Sequence, residues 1–195
     1  MIRVKEYFDE KACGYDAKRK KGAQAGLVAA ELDDALQLLQ LRKGEKVLEC
    51  GCGTGIYGEI IVRKGCNYTG IDISAKMIAK SRKKGLRASV ADMHTFKSRD
   101  KFDKILISGS LEFCDYPKKA FSQCAKNLKE KGSVVLIAPR FNLAGLIYRL
   151  FHSTHGIQIK LFSIRKIRKI AESSGLRLVS ARKPNTLTWA ALMRR

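Results

Sequence analysis

The chain of 195 residues is predicted to adopt an α/β fold: a Rossmann-like, doubly wound, mainly parallel seven-stranded sheet with a reversed C-terminal strand, in three α/β/α layers. Three observations lead to this prediction. Short apolar runs alternate with helical segments, which is typical of a parallel sheet covered by helices on both faces. A glycine-rich turn, E-C-G-C-G-T-G, follows the first run. The last two runs flank a Lys183-Pro184-Asn185 turn, which favours an antiparallel hairpin.

The central elements are expected in strand–helix order. The apolar runs predict strands at Lys46–Cys50, Tyr68–Ile71, Ala88–Ala91, Lys104–Ser108 and Ser133–Ala138. Helical segments between them are predicted at about Ile56–Arg63, Ala75–Lys83 and Pro117–Leu128. The helix boundaries are supported by Ser74 and Asp115 as N-caps, Pro117 in a first turn, and Gly85 and Gly132 after helix ends.

Further elements are predicted on either side of this core. A helix at Ala23–Gln40 follows a short aromatic and basic segment. After Pro139, an apolar helix at Asn142–Phe151 leads into a loop with two histidines, and a second helix covers Ser163–Ser174, with isoleucines on one face and basic residues on the other. The hairpin strands are expected at Leu176–Arg182 and Thr186–Met193.

Size and composition indicate one globular domain, residues 1–195, with a substantial core. No apolar run reaches the roughly 18 residues that a membrane span needs. Charges in the first ten residues are unlike a signal peptide, so a cytoplasmic location is expected. The six cysteines show neither C-x-x-C pairs nor regular spacing, which indicates no zinc site, no disulfide framework and no other metal site.

The formal charge of +21 is unusual. Such a field attracts polyanions: nucleic acid, an anionic membrane surface or acidic substrates. The alternative is that the basic clusters are solvated helix faces, and their spread along the chain argues against one focused binding stripe. The clusters are Lys18–Lys21, Arg82–Lys84, Lys118–Lys119, Arg165–Lys166, Arg168–Lys169, Arg182–Lys183 and Arg194–Arg195.

One acidic residue stands at the end of each of the first three predicted strands: Glu49, Asp72 and Asp92. Ligands of a wrapped parallel sheet bind at the carboxyl ends of its strands. Glu49 suits an ammonium group. Asp72 has the spacing from the glycine turn at which an acid accepts hydrogen bonds from ribose hydroxyls, and Asp92 could accept from an exocyclic amine. An amino acid, a ribose and an adenine in that order describe S-adenosylmethionine.

With these motifs the chain resembles the class I S-adenosylmethionine-dependent methyltransferases, in their small-molecule branch, the type-11 or ubiquinone-biosynthesis-like group. The resemblance rests on E-x-G-x-G-x-G, Y-T-G-I-D-I-S, A-D-M, F-D-K-I-L-I-S-G-S-L-E-F and N-L-K-E-K-G-S-V-V-L-I-A-P. It implies that Glu49 neighbours the methionine moiety, that Asp72 holds the ribose, and that Asp92 and Met93 frame the adenine. The expected cofactor-binding set is Glu49, Gly51, Gly53, Gly55, Asp72, Ile73, Asp92, Met93 and Ser108.

The resemblance also implies an internal organisation. Residues 1–40 would form an N-terminal lid and helical segment, with Tyr7–Tyr15 closing over the cofactor. Residues 41–139 would form the cofactor-binding core, and residues 140–195 the substrate-side helices and hairpin. Two departures stand out: Glu112-Phe113 replaces the group's frequent acid–histidine pair, and Ser133 replaces the second glycine of a K-x-G-G turn.

A rival interpretation of the turn is a nicotinamide dinucleotide site, because Gly53, Gly55 and Gly58 formally fit G-x-G-x-x-G. That alignment makes Gly51 and Cys52 the strand end. The reversed terminal strand fits a methyltransferase better. A non-catalytic protein that keeps the S-adenosylmethionine fold is a further alternative.

Methyl transfer from a sulfonium is an in-line displacement, and a general base is needed only for a weakly acidic hydroxyl or a protonated amine. The catalytic residue stays open among four candidates: His152, His155, Glu112 and Tyr15. The exit of the fourth strand, S-G-S-L, lacks the N-P-P-Y or D-P-P-Y clamp of base-modifying enzymes.

We therefore expect methyl transfer to an oxygen or nitrogen of a small-molecule or lipid-like acceptor. The basic surface leaves an RNA-directed methyltransferase as an alternative. Peripheral contact with an anionic membrane through Asn142–Phe151 and Ser163–Ser174 is another. The sequence makes no prediction of the oligomeric state.

Overall fold

A computed structural model of the chain describes residues 2–19 and 22–195. Lys20 and Lys21, half of the first predicted basic cluster, lie outside the described residues. The helices are α1 (Ile2–Lys11), α2 (Tyr15–Arg19), α3 (Gly22–Leu39), α4 (Ile56–Arg63), α5 (Ala75–Lys83), α6 (Pro117–Ala125), α7 (Leu143–Thr154) and α8 (Ile164–Glu172). The strands are β1 (Lys46–Cys50), β2 (Asn67–Asp72), β3 (Ala88–Val90), β4 (Phe102–Ser108), β5 (Leu128–Pro139), β6 (Arg177–Arg182) and β7 (Thr188–Arg194).

Within the described part of the chain, the strands form one seven-stranded sheet in the order β3-β2-β1-β4-β5-β7-β6. Neighbouring strands from β3 to β5 are parallel, whereas β7 runs antiparallel to both β5 and β6. The predicted doubly wound, mainly parallel sheet with a reversed C-terminal strand is therefore confirmed. Strand order reverses between β1 and β4, which puts a ligand-binding crevice at their carboxyl ends.

The sheet is covered on both faces because consecutive strand residues point in opposite directions. On β4, Ile105 and Ile107 belong to the core shared with α6 and α8, whereas Leu106 belongs to the core shared with α3, α4 and α5. Each of these three side chains is fully buried. This arrangement is the three-layer architecture that the sequence predicts.

The N-terminal segment is more regular than predicted. The sequence pattern indicates a helix only from Ala23, but α1 and α2 precede it. A small apolar cluster holds α1 in place: Val4, Tyr7 and Phe8 pack against Phe113 and the loop that follows α7. The helical periodicity of α1 is weak by itself, so its position depends on this packing.

The turn between α6 and β5 differs from the prediction. Helix α6 ends at Ala125, not Leu128, because Asn127 ties the chain to the segment before β4: its backbone carbonyl accepts from Phe102 N over 2.9 Å, and its side chain accepts from Ser98 N over 2.9 Å. Strand β5 then begins at Leu128, and the register shifts before Ser133. Gly132 lies in this irregular stretch and does not follow a helix end.

Three other boundaries shift for local reasons. Tyr116, rather than Asp115, occupies the N-cap position of α6. Helix α7 starts after Asn142, whose side chain accepts from Gly145 N over 2.9 Å, and it continues to Thr154. Strand β7 starts at Thr188, because the Asn185 side chain accepts from the backbone amides of Leu187 and of Thr188, the first residue of the strand.

None of the helices in the described part of the chain has the length and apolar character that a membrane crossing requires.

Candidate functional site

A solvent-open cleft of about 900 Å³ lies at the carboxyl ends of β1, β2 and β4, under α1 and α2. It brings together eight of the nine predicted cofactor-binding residues: Glu49, Gly51, Gly53, Asp72, Ile73, Asp92, Met93 and Ser108. Gly55 instead occupies the N-cap position of α4, where an added Cβ would lie 2.3 Å from Leu86 Cδ1. We call this cleft the first cavity.

The glycine turn packs closely against the protein at Gly51 and faces open space at Gly53. Gly51 has φ +77°, and a Cβ on it would lie 2.2 Å from Ser110 Cβ. Its amide donates to Ile71 O over 2.8 Å, which ties the turn to β2. Gly53 has φ +53° and nothing within 4 Å of a Cβ position. The backbone at Gly53 is therefore accessible to a ligand.

Glu49 is a buried acid that forms no ion pair with any of the described residues. It is 1% exposed, and Tyr68 Oη donates to its Oε2 over 2.7 Å. The pKa of the Glu49 carboxyl is raised to about 8, mainly by burial and to a lesser degree by the nearby Asp72, while the Tyr68 hydrogen bond opposes the rise. A ligand ammonium group would replace the missing countercharge.

Tyr68 reaches Glu49 because two glycines leave it room. A Cβ on Gly58 would lie 2.6 Å from Tyr68 Cζ, and a Cβ on Gly70 would lie 2.5 Å from Tyr68 Oη. Gly58 is therefore explained by packing of α4 on β2. The dinucleotide alternative assigned this glycine to a phosphate-binding fingerprint.

The other two acids are held by backbone amides. Asp72 Oδ2 accepts from Gly53 N over 2.8 Å and Oδ1 accepts from Ser74 N over 2.9 Å. Burial raises the pKa of Asp72, and these two hydrogen bonds oppose the rise. Asp92 Oδ1 accepts from His94 N and contacts His94 Nδ1, both at 2.8 Å. Each carboxylate keeps acceptor capacity for a ligand, since an ionised carboxylate has about four lone-pair sites.

Helices α1 and α2 close over this cleft through specific polar contacts. Asp9 accepts from Ser74 Oγ over 2.6 Å and from Lys76 N over 3.1 Å, which joins α1 to the start of α5. Asp16 accepts from Thr54 Oγ1 and pairs with Lys84 at 2.9 Å, which joins α2 to the glycine turn and α5. These contacts hold both helices over one side of the cleft.

A second cavity, of about 1400 Å³ and open to solvent, adjoins the first. Its walls come from α1, α2, α3, the exit of β4, β5 and α7. The two cavities share Phe8, Tyr15, Arg19, Gly109 and Phe113. A molecule in the second cavity would therefore sit beside one in the first.

Glu112 lines the second cavity and is only 2% exposed. Its Oε2 has no hydrogen-bond partner among the described residues. Burial raises the pKa of the Glu112 carboxyl to about 8. Two nearby charges act in opposite directions on this pKa, Glu31 raising it and Arg19 lowering it. An acid of this kind can exchange a proton near neutral pH.

The sequence pattern did not single out Arg19 and Glu31, which form a largely buried pair at the junction of the cavities. Arg19 Nη2 lies 3.8 Å from Glu31 Oε2, and Arg19 Nη1 donates to Tyr15 Oη over 3.1 Å. Burial raises the pKa of Glu31 even though Arg19 opposes the rise. Arg19 belongs to a run of basic residues of the kind that usually lies on a solvated surface. The sequence therefore gives no indication that Arg19 is buried against Glu31.

The two candidate histidines are separated by the structure. His152 is not in a loop as predicted but in the last turn of α7, where it is buried among the rings of Tyr7, Phe113, Tyr148 and Phe151. Burial lowers the pKa of His152 to about 4, and it lines the second cavity. His155 is exposed at the C-cap of α7, with Nδ1 2.9 Å from Phe151 O, and is outside the lining of both cavities.

The chain is similar to known methyltransferase sequences. A family model described as Methyltransferase domain matches residues 21–181. The ubiquinone biosynthesis O-methyltransferase of Cronobacter sakazakii is 31% identical over 99 residues, covering 47% of this chain and 41% of that protein. The enzyme of the same name from Pseudomonas aeruginosa is 26% identical over 141 residues, covering 68% and 61%. The chain thus matches less than two thirds of the length of either relative.

Solved structures share the fold. A putative methyltransferase in complex with the Haloferax volcanii Trm112 methyltransferase activator superposes with a TM-score of 0.82 at 16% identity, covering 96% of each chain. Magnesium protoporphyrin IX methyltransferase from Synechocystis PCC 6803 with bound SAH gives a TM-score of 0.78 at 16% identity, covering 98% of each chain.

Proposed function

The chain belongs to the methyltransferase domain family, and from this membership we propose that it transfers a methyl group from S-adenosylmethionine to an oxygen or nitrogen of a small-molecule or lipid-like acceptor. The observation that carries the proposal is the buried Glu49, which has no ion-pair partner in the part of the chain that the structure describes, beside Asp72 and Asp92 at three adjoining strand ends.

The residues of the first cavity fit this cofactor. Glu49 would hold the ammonium of the methionine moiety, because a cation there compensates a desolvated carboxylate. Asp72 would accept from the ribose hydroxyls, and Asp92 with Met93 would frame the adenine. The open space above Gly53 admits a ligand close to the backbone. Ile73 and Ser108 complete the lining.

The cofactor, when bound, supplies a methyl group already activated on a sulfonium sulfur. The protein then has to hold the acceptor in line with that methyl and exclude water. Tyr15, Arg19 and Phe113 stand at the junction of the two cavities, where they would orient the acceptor. Helices α1 and α2, which contain the ends of the expected lid segment Tyr7–Tyr15, would close over the cofactor-binding core.

We assign to Glu112 Oε2 the role of accepting the proton that the hydroxyl or amine of the acceptor loses when it is methylated. Glu112 lines the second cavity, its buried Oε2 has no hydrogen-bond partner among the described residues, and its pKa of about 8 places it near working pH. His152 lines the same cavity, but its pKa of about 4 makes it a weaker base. We therefore give His152 a role in shaping the pocket.

An RNA-directed reaction is the second candidate, and the charge of +21 is the observation that favours it. Salt separates the two candidates, because binding of RNA weakens steeply with ionic strength whereas turnover of a neutral small molecule changes little. In either case the expected location is the cytoplasm.

The test is turnover with methyl-labelled S-adenosylmethionine in an extract of the source organism, divided into RNA, lipid and water-soluble fractions. We expect label in the lipid or water-soluble fraction, and none with Glu49→Gln. Asp33→Gln, a change at an exposed acid on α3, is the matched control and should keep full incorporation. Label confined to RNA would reject the small-molecule acceptor, and no label in any fraction would reject the activity.

A further inference from the structure

Helix α7 is amphipathic in the reverse of the usual sense, because its apolar face points to solvent. Leu143 is 75% exposed, Ile147 62% and Leu150 68%. The residues of the helix that are buried are Gly145 and His152, which lie on the opposite side. A surface helix normally turns its apolar face to the core.

The exposed side chains form one continuous stripe. Leu143, Leu146, Ile147 and Leu150 follow the i, i+3, i+4, i+7 spacing that aligns side chains along one helix face. Phe141 before the helix and Phe151 on its edge extend the apolar area, at 63% and 55% exposure. Elsewhere, exposed aliphatic residues such as Val62 and Val179 stand on separate elements. A contiguous exposed patch of this kind marks a surface that another body covers.

Charge decides what covers the stripe. The chain carries a net charge of +21, so a second copy would bring two strongly positive bodies together. Basic residues lie on the helix and at the neighbouring cavity: Arg149 is exposed on α7, and Lys11 and Lys18 line the second cavity together with Phe151. An apolar stripe on a strongly basic protein matches the chemistry of an anionic lipid surface, with acyl chains below negative headgroups.

We propose that α7 docks the protein on an anionic membrane, with the stripe Leu143–Leu150 lying in the plane of the interface. Phe151 belongs both to the exposed apolar area and to the wall of the second cavity. Docking therefore brings the mouth of that cavity to the bilayer, where an amphiphilic acceptor would be at hand. This last step, unlike docking itself, rests on the proposed methyl transfer.

The test of docking is co-sedimentation of the purified chain with vesicles of phosphatidylcholine alone or mixed with phosphatidylglycerol, without cofactor or acceptor. We expect binding to the mixed vesicles that weakens with added salt, because surface charge is screened. The triple variant Leu143→Gln, Ile147→Gln, Leu150→Gln should bind roughly tenfold or more weakly, since the acyl contact is lost. A control variant, Val62→Gln with Val179→Gln, should bind like the unchanged chain.

Several outcomes would overturn docking. One is equal binding of the triple variant and the control variant. Another is that no vesicles are bound and that the unchanged chain forms a concentration-dependent dimer, which the triple variant does not form. The stripe would then be the interface with a second copy of the chain. A third is binding of an RNA homopolymer that the triple variant loses while vesicles bind neither variant. Because the changed residues are exposed, circular dichroism should show the triple variant folded.

Since the vesicle assay contains no cofactor or acceptor, its result is independent of methyl transfer. The acceptor step is tested by the fractionated labelling experiment, in which the triple variant should lose label from the lipid fraction. Label found only among water-soluble molecules, alongside intact vesicle binding, would reject the amphiphilic acceptor and leave docking standing.

Discussion

Tyr68 Oη, on β2, donates a 2.7 Å hydrogen bond to Glu49 Oε2, on β1. This contact links the packing of α4 to the ligand-binding cleft. Both residues are buried, and the tyrosine ring occupies the space left by Gly58 and Gly70. The bond stabilises the ionised form of Glu49, which is the form that a cationic ligand needs.

Tyr68→Phe is expected to weaken binding of S-adenosylmethionine by roughly tenfold to a hundredfold. The reason is that a hydrogen bond to a charged group contributes about 1.5–3 kcal/mol. Isothermal titration calorimetry at neutral pH measures this change. Tyr116→Phe, at an exposed ring before α6, is the control and should bind normally. Unchanged affinity of the Tyr68→Phe variant for S-adenosylmethionine would mean that Glu49 does not bind the ligand.

Binding of S-adenosylmethionine is expected to release a proton near pH 7. With a pKa of about 8, Glu49 is mostly neutral in the free protein, and a bound ammonium would favour its carboxylate. Affinity should therefore rise as pH increases from 6 to 9. Calorimetry in two buffers of different ionisation enthalpy counts the released protons. Glu49→Gln should show weak affinity that does not depend on pH in this range; a proton count near zero for the unchanged protein would contradict the assignment.

The free energy of unfolding is expected to fall as pH rises from 7 to 9. The pKa values of Glu49 and Glu112 are raised to about 8 in the folded state, so each carboxyl keeps a proton that unfolding releases. That stability is fully present below the unfolded pKa and is lost as pH passes 8. The loss is roughly 1 kcal/mol for each glutamate between pH 7 and 9.

Urea denaturation of the ligand-free protein checks this pH dependence. His152 does not interfere, because its pKa is lowered to about 4 and its contribution changes only in acid. The double variant Glu49→Gln, Glu112→Gln should have a flatter profile. A stability that does not fall between pH 7 and 9 would mean that both acids are already ionised in the folded protein.

Glu112→Gln is expected to lower kcat by about 10²–10⁴-fold for a hydroxyl or protonated amine acceptor, with affinity for S-adenosylmethionine unchanged. In the unchanged protein, kcat/KM should rise with pH and level off above about 8, because the carboxylate is the active form. Steady-state kinetics from pH 6 to 9 measures both effects. Glu130→Gln, an exposed acid in β5, is the control. Full activity in Glu112→Gln would remove Glu112 from proton transfer.

Asp9→Ala is expected to loosen α1 from the cleft, because Asp9 accepts from Ser74 Oγ and Lys76 N at the start of α5. Hydrogen exchange in residues 2–11 should speed up, while the free energy of unfolding changes by less than about 1 kcal/mol, as is usual for surface polar contacts. Hydrogen-exchange mass spectrometry with and without S-adenosylmethionine measures the effect. The neighbouring exposed acid gives the control Glu10→Ala, which should exchange like the unchanged protein.

Several features were determined by the sequence alone, because their signals lie in short stretches of chain. Strand β1 and helices α4 and α5 have the predicted bounds, since apolar runs, caps and glycines are local. The three acids could be placed at one edge, because parallel strands carry their carboxyl ends to the same side of a sheet. The reversed last strand followed from its hairpin turn.

Other features depended on contacts between distant parts of the chain. The register change in β5 arises from Asn127 bonding across to residues 98–102. The burial of Arg19 against Glu31 depends on how α2 packs against α3 and the sheet. It cannot be predicted from a run of basic residues in the sequence. The raised pKa of Glu49 and Glu112 is likewise a result of desolvation by the whole fold.

Helix α7 shows the difference most directly. The sequence predicted an apolar helix at Asn142–Phe151 from its local composition. Only the tertiary structure decided that Gly145 and His152 face inward and Leu143, Ile147 and Leu150 face outward. Periodicity records which side chains share a face, whereas the direction of that face is set by the neighbouring elements that the rest of the chain brings against the helix.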